Sequence, residues 1–373
     1  MTIGLLKEPG YETRVSLLPE AVASLTKKGI NVIVESGAGE RAFSKDADYE
    51  KSGAQIKSRA EVFPASDIVL SIQKPADLEI PQLKSKVIIG VFQPLYFAAA
   101  MKDWAVADVT VFSLDMLPRT TRAQAMDVLS SQANIAGYKA VLTAAAMYPR
   151  YFPMFMTAAG TIAPAKILIL GAGVAGLQAI ATARRLGAVV EVFDTRPAVK
   201  EEVMSLGAKF IEVEGAADAT KAGGYAVEQT DEYKQKQQQK IAESVAKADI
   251  IITTAQIPGK KAPILITDYM LQSMRNGSVI IDLASATGGN TPVTKDNETV
   301  NYNGVCILGN SSLSATMPSD ASKMYGKNIL NFLQLIIDKE GKLNLNWNDD
   351  LVKGSCITHG GEVVSERVKG NRQ

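Results

Sequence analysis

One stretch, residues 166–194 (KILILGAGVAGLQAIATARRLGAVVEVFD), constrains the fold of this chain more than any other. Its apolar run at 167–170 has the length and composition of a strand buried on both faces. Gly171, Gly173 and Gly176 then spell G-x-G-x-x-G, and 174–186 reads as a helix closed by Gly187, which tolerates a left-handed backbone. A second apolar run, 189–193, ends on Asp194, 23 positions after Gly171. Strand, glycine turn, helix, strand and acid in that register form the βαβ unit that a dinucleotide requires. The glycines serve the tight turn, the approach of a pyrophosphate to backbone, and close helix–strand packing. The helix start offers unpaired N–H groups and a partial positive charge to that pyrophosphate. Asp194 can accept hydrogen bonds from a ribose and would repel a 2′-phosphate, which favours NAD(H), although Arg196 two positions on could meet a phosphate.

The totals narrow the rest. At 373 residues, 46% hydrophobic and 21% charged, the chain suits two globular domains. A net charge of +1 argues against a nucleic-acid or acidic-membrane surface. Cys306 and Cys356 are too few for a disulfide framework or a cysteine metal cluster, and fit a reducing compartment. The start of the chain runs from a strand-like 3–6 into Lys7 and Glu8, so no secretory signal is expected. The nearest approach to a membrane span, 167–183, is interrupted by Gln178 and three glycines, so any membrane role is expected to come through a partner. His359, in the turn-like CITHGGEVV, is the only histidine; no metal site or histidine-based acid–base machinery is expected.

Along the chain, strand-like runs at 3–6, 31–35, 68–73, 87–92 and 109–112 alternate with helical ones at 20–28, 46–52 and 96–104, plus a short turn near Val62. Such alternation implies a mainly parallel sheet covered on both faces. From about residue 123 to Met147, past the Arg119–Arg122 loop, the pattern reads as one long connector helix stopped by Pro149 and Pro153. The dinucleotide unit continues with helices at 197–206 and 268–274 and strands at 209–213, 250–254, 279–282 and 305–308. Between Glu214 and Asp249 lies a long insert: its glycine- and alanine-rich first half, with a solitary Tyr225, reads as a lid, and its second half as a solvated helix. The helix at 321–337 is expected to pack back on the first domain. The expected architecture is α/β: two Rossmann-like, doubly wound parallel-sheet domains joined by long helices, with an NAD cleft between them. The expected boundaries are 1–133 with 311–373, and 134–310.

Arg119, Gln124, Asp127 and Ser130 form a second cluster, extended by Ser131 and Asn134 at helical steps into a polar stripe. It admits two readings: helix capping plus a wet helix face, or a clamp for a carboxamide and ribose. The runs RAQAMDVLSSQANIAGYKAV, MTAAGTIAPAKILILGAGVAGLQAIATARRLGA, AGGYA, TTAQIPGKKAP and IDLASATGGN resemble the NAD(H)-binding component of the proton-translocating nicotinamide nucleotide transhydrogenases. The resemblance covers nearly the whole chain, and the alanine dehydrogenases share its two-domain plan. It implies that Gly171, Ala172, Gly173, Val174 and Gly176 hold the pyrophosphate, and Asp194, Thr195 and Arg196 the adenosine ribose. It also implies that Arg119, Asp127 and Ser130, in and after a loop with Thr120, Thr121 and Arg122 at the cofactor, orient the nicotinamide of NADH. Gln124 would reach NADP(H) on a partner subunit. Gly224 and Tyr225 match a closing loop, and Gln237 and Gln256 line the cleft, Gln256 standing where a leucine is usual.

Departures from the alanine dehydrogenases discriminate between two chemistries. Their catalytic histidine after the fourth strand is replaced by Gln93, and their aspartate before the Gly288–Gly289 pair by Ala286. Arg14 and Lys74 match the positions that hold substrate carboxylate there, or are simply surface or interdomain charges. The resemblance therefore implies hydride transfer between two nicotinamides, with Gln124, Asp127 and Arg119 as catalytic orienters. It further implies a homodimer, an NADP(H)-binding subunit and a membrane-spanning subunit, with this chain peripheral on the cytoplasmic face of the inner membrane. The alternatives are a self-contained NAD-dependent alanine or amino-acid dehydrogenase, and an NAD sensor without chemistry.

Overall fold

The computed structural model describes residues 1–213 and 230–370. The chain forms two compact units, Met1–Gln132 with Ala315–Gln373, and Ala133–Ser314.

The first unit starts with β1 (Thr2–Leu5), β2 (Asn31–Glu35), β3 (Gln55–Lys57), β4 (Ile68–Leu70), β5 (Val87–Gly90) and β6 (Thr110–Ser113). The second contains β7 (Phe155–Thr157), β8 (Gly160–Ile162), β9 (Lys166–Leu170), β10 (Val189–Phe193), β11 (Lys209–Phe210), β12 (Ile250–Thr253), β13 (Val279–Asp282), β14 (Glu298–Tyr302) and β15 (Val305–Gly309). The chain then returns to the first unit with β16 (Cys356–His359) and β17 (Glu362–Val363).

Sheet order is β17-β16-β6-β5-β4-β1-β2-β3 in the first unit and β11-β10-β9-β12-β13-β15-β14 in the second. All pairings in these two sheets are parallel except those of β16 and β17 at one edge and of β14 at the other sheet's edge. Strand order reverses between β1 and β4, and again between β9 and β12, as a doubly wound sheet demands. Successive strand residues feed opposite faces: Ile167 and Ile169 join one apolar cluster, Leu168 and Leu170 the other. In the first unit, the helix Pro318–Ile336 places Tyr325, Ile329, Phe332, Leu333 and Ile336 in the same core as Ile3 and Leu5.

Three strand features carry no apolar run and escape a sequence pattern: β3, β14 and the exposed β7–β8 hairpin. The connector also differs from the expected single helix. Residues Thr121–Met126 form a 3-10 turn, and the α-helix begins only at Val128, ending at Met147. The break falls at Asp127, whose carboxylate accepts from Ser130 N at 2.9 Å and from Ser130 Oγ at 2.6 Å. A short acidic side chain that satisfies an orphan N–H starts a helix rather than continuing one. Gln124 is therefore one 3-10 turn before the helix that bears Ser130 and Asn134. Among the described residues no helix is long and apolar enough to cross a membrane, and no three potential metal ligands gather.

Candidate functional site

The glycine turn after β9 has a measurable reason for each glycine. Gly171 has φ +106°, and a methyl there would stand 2.3 Å from Thr254 Oγ1. Gly176, in the helix Val174–Arg185, lies so close to the turn that a methyl would meet Gly171 O at 1.9 Å. Gly173 is different: a methyl would meet nothing within 4 Å, so this position opens onto free space beside the helix start. Two glycines serve packing, and the third leaves room for a ligand. Ala172 is buried beneath the turn, and Val174 is 39% exposed at its rim.

Asp194, at the end of β10, is buried and heavily engaged. It accepts from Ala172 N (2.7 Å), Arg196 N (2.8 Å), Arg196 Nε (2.8 Å) and an Arg196 terminal nitrogen (2.7 Å). A carboxylate has about four acceptor directions, and all four are occupied. A ribose hydroxyl must displace part of the Arg196 fork to reach this group. Sequence spacing identifies both residues but not their pairing, which also raises the Arg196 pKa above its ordinary value. Thr195 is half-buried between them.

Behind the turn lies a scaffold that sequence reading misses. Thr254 Oγ1 donates at 3.3 Å to Leu170 O and to Gly171 O. The next residue, Ala255, is held at both backbone groups by Asn290. Asp282, fully buried at the end of β13, accepts from Ala284 N, Asn290 N and Thr294 Oγ1. The available signal is an acid closing the apolar run VIID, followed by the paired glycines and Asn290. Gln256 is exposed and donates to Leu283 O at 2.9 Å. Gln237 is half-buried on the helix Asp231–Val245. Gly224 and Tyr225 lie outside the described residues.

In the first unit, Gln124 is exposed, while Asp127 and Ser130 are half-buried and paired as the start of the helix Val128–Met147. Arg119, Thr120 and Thr121 are exposed. Arg122 is fixed elsewhere: its guanidinium donates to Asp350 at 2.8 Å and to Asp349 at 2.5 Å, a pairing that raises its pKa. The cluster thus does include helix capping, yet each carboxylate oxygen of Asp127 keeps acceptor capacity beyond its single bond to Ser130.

The possible substrate-carboxylate ligands are closed off. Arg14 is buried and directs Nε and a terminal nitrogen to Glu12 (2.8 and 2.6 Å), and Nη1 to Gln132 Oε1 (2.8 Å). Burial alone would raise the Glu12 pKa, but the bonds and charge of Arg14 hold it below the ordinary value. Lys74 pairs with Asp77. Gln93, after β5, adopts φ +49°. The single histidine, His359, is the last residue of β16 before a Gly360–Gly361 turn, slightly upstream of the turn position its sequence suggests. It contacts Thr110 Oγ1 at 3.0 Å through Nδ1. Thr110 opens β6, so His359 lies at the amino edge of the parallel strands, opposite the carboxyl edge where such sheets bind ligands.

Comparison with known proteins agrees with this geometry. Residues 4–136 match the alanine dehydrogenase/PNT N-terminal domain, and 140–366 the alanine dehydrogenase/PNT C-terminal domain. The chain is 44% identical to the first portion of the NAD(P) transhydrogenase subunit alpha of Rhodospirillum rubrum, a separate polypeptide there, over 99% of both chains. It is 27% identical to the alanine dehydrogenase of Mycobacterium tuberculosis, over 99% of this chain and 96% of that one. The crystal structure of a transhydrogenase from Sinorhizobium meliloti, 45% identical, superposes with a TM-score of 0.88 over 97% of this chain and 100% of that one.

Proposed function

The chain belongs to the alanine dehydrogenase/PNT family, on the side of its NAD(P) transhydrogenase alpha subunits, and from that premise we propose that it holds NADH for direct hydride transfer to NADP+ on a partner subunit. The glycine turn of Gly171, Gly173 and Gly176 receives the pyrophosphate on backbone N–H groups, with Ala172 and Val174 completing it. Asp194, Thr195 and Arg196 receive the adenosine ribose. Arg119, Asp127 and Ser130 orient the nicotinamide, and Gln124 reaches toward the second dinucleotide. When bound, the nicotinamide supplies the hydride; the chain's own residues bind, orient and exclude water.

The observation that carries this reading is the placement of the titratable groups. Oxidising an amine or alcohol needs an acceptor for a proton as well as for a hydride. Gln93 cannot be that acceptor, His359 sits at the amino edge of its sheet, and Arg14 is committed to Glu12 and Gln132. Hydride exchange between two nicotinamide C4 atoms moves no proton and needs none of them. Proton translocation is then the work of a membrane-spanning partner, and this chain works beside it on the cytoplasmic face of the inner membrane. The exposed Phe155, Met156 and Ile162 of the β7–β8 hairpin offer an apolar surface suited to a second copy in a homodimer.

The test combines the full chain with NADP(H)-binding and membrane partner subunits and follows deuterium from C4-labelled NADH. We expect label to pass directly to NADP+, and the isolated chain to give no turnover with NAD+ and L-alanine. Gln124→Asn should slow transfer by roughly two orders of magnitude or more while NADH affinity changes less than about threefold. Robust alanine oxidation, or equal losses of binding and rate in the variant, would reject the proposal.

A further inference from the structure

Asn290 is fully buried, and each of its polar groups is used. Its N–H donates to Asp282 Oδ2 at 2.6 Å, and its carbonyl accepts from Leu265 N (2.9 Å) and Ile266 N (3.1 Å). Its side-chain oxygen accepts from Ala255 N at 3.1 Å, and its amide nitrogen donates to Ala255 O at 2.9 Å and to Pro263 O at 2.8 Å. One side chain thereby fixes both backbone groups of a single residue, a two-point clamp that sets the plane and height of that segment.

The clamped residue occupies a particular place. Ala255 directly follows Thr254, whose hydroxyl rests on Gly171, and both continue from the carboxyl end of β12. Strand order in this sheet reverses between β9 and β12. A dinucleotide lies across such a reversal, outside the carboxyl ends of the strands, with its pyrophosphate over the first glycine turn. The adenosine side falls toward β10 and Asp194. The other half then extends over β12, onto the segment that begins at Thr254 and Ala255.

We propose that Asn290 is a positioning residue for the nicotinamide half of the cofactor, acting through the Ala255 backbone, a role that rests on the dinucleotide-holding reading above. Only an amide meets the demand: one acceptor for Ala255 N and two donors for Ala255 O and Pro263 O. An aspartate of the same shape keeps the acceptor but turns a carboxylate toward two carbonyls beside Asp282. The segment must then move, while Asp194 and the glycine turn, held by other bonds, stay in place.

The experiment is isothermal titration of the full-length parent, Asn290→Asp and Asn290→Ser with two probes, NADH and ADP. ADP carries the adenosine and pyrophosphate but lacks the nicotinamide half. We expect ADP dissociation constants within about twofold of the parent in both variants. NADH should weaken roughly tenfold or more in Asn290→Asp and severalfold in Asn290→Ser, whose hydroxyl restores part of the clamp and keeps the test open if the aspartate variant does not fold. Unchanged NADH binding, or NADH and ADP weakened in parallel, overturns the positioning role while leaving the dinucleotide reading intact. A parent chain that binds neither probe overturns both.

Discussion

Glu8 shows how much a single side chain can be asked to do. It is buried in the first unit, accepts from Ile72 N and Gln73 N at 2.6 and 3.0 Å, and has Glu12 and Arg14 in its field. Burial outweighs those two bonds and pushes its pKa from the ordinary 4.5 up to about 7. A carboxyl whose folded-state pKa is raised binds its proton more tightly in the native chain than in the unfolded one. Its stabilisation is complete below pH 4.5 and is lost as pH rises through about 7. A shift of this size corresponds to roughly 3 kcal/mol. Unfolding free energies of the parent and Glu8→Gln, measured from pH 5 to 8, should therefore converge or cross as pH rises, with the parent losing stability faster. Parallel pH profiles would mean that Glu8 does not titrate in this range. Arg14, close by, gains nothing comparable, because its partner Glu12 is as buried as it is and the two exchange desolvation for each other's charge.

At the scale of elements, the approach of two helices decides the outcome of one substitution. Gly137, in the helix Val128–Met147, faces the first turn of the helix Val174–Arg185 so closely that a methyl would stand 2.1 Å from Ala175 O. Alanine is favoured over glycine in a helix by about 1 kcal/mol. Forcing a methyl against a backbone atom costs about 1–3 kcal/mol, so the steric term should win. Gly137→Ala should lower unfolding free energy by about 1–2 kcal/mol and weaken ADP binding, because Ala175 follows the glycine turn by two residues. A variant as stable as the parent would show that the helices can part without cost. The elements around that turn are legible in the sequence because their signals are local: an apolar run, glycines at fixed offsets, an acid at the next strand's end. The connector is misjudged because propensity alone carries a helix through Asp127, whereas the carboxylate satisfies Ser130 N and starts the helix there. Strands β3, β14 and the β7–β8 hairpin stay hidden because short, solvated strands need no apolar alternation. Asn290 is invisible as a clamp for a further reason: its partners Ala255 and Pro263 are 35 and 27 positions away.

The whole molecule is built from two cores, each with apolar clusters on both faces of its own sheet. Glu8→Gln alters the first and Gly137→Ala the second. Calorimetry should accordingly resolve two transitions, each moved by one substitution; a single transition moved by both would show that the cores unfold as one. The return of the chain to β16 has a different consequence, one that belongs to biosynthesis. The edge of β6 is covered by Cys356 and Thr358, and 243 positions separate Ser113 from Cys356. At roughly 5–20 residues per second, a ribosome takes on the order of ten to fifty seconds to deliver that cover. Through that interval β6 waits as an open strand edge on the nascent polypeptide, the kind of surface that invites association with a neighbour and that a holding chaperone would occupy.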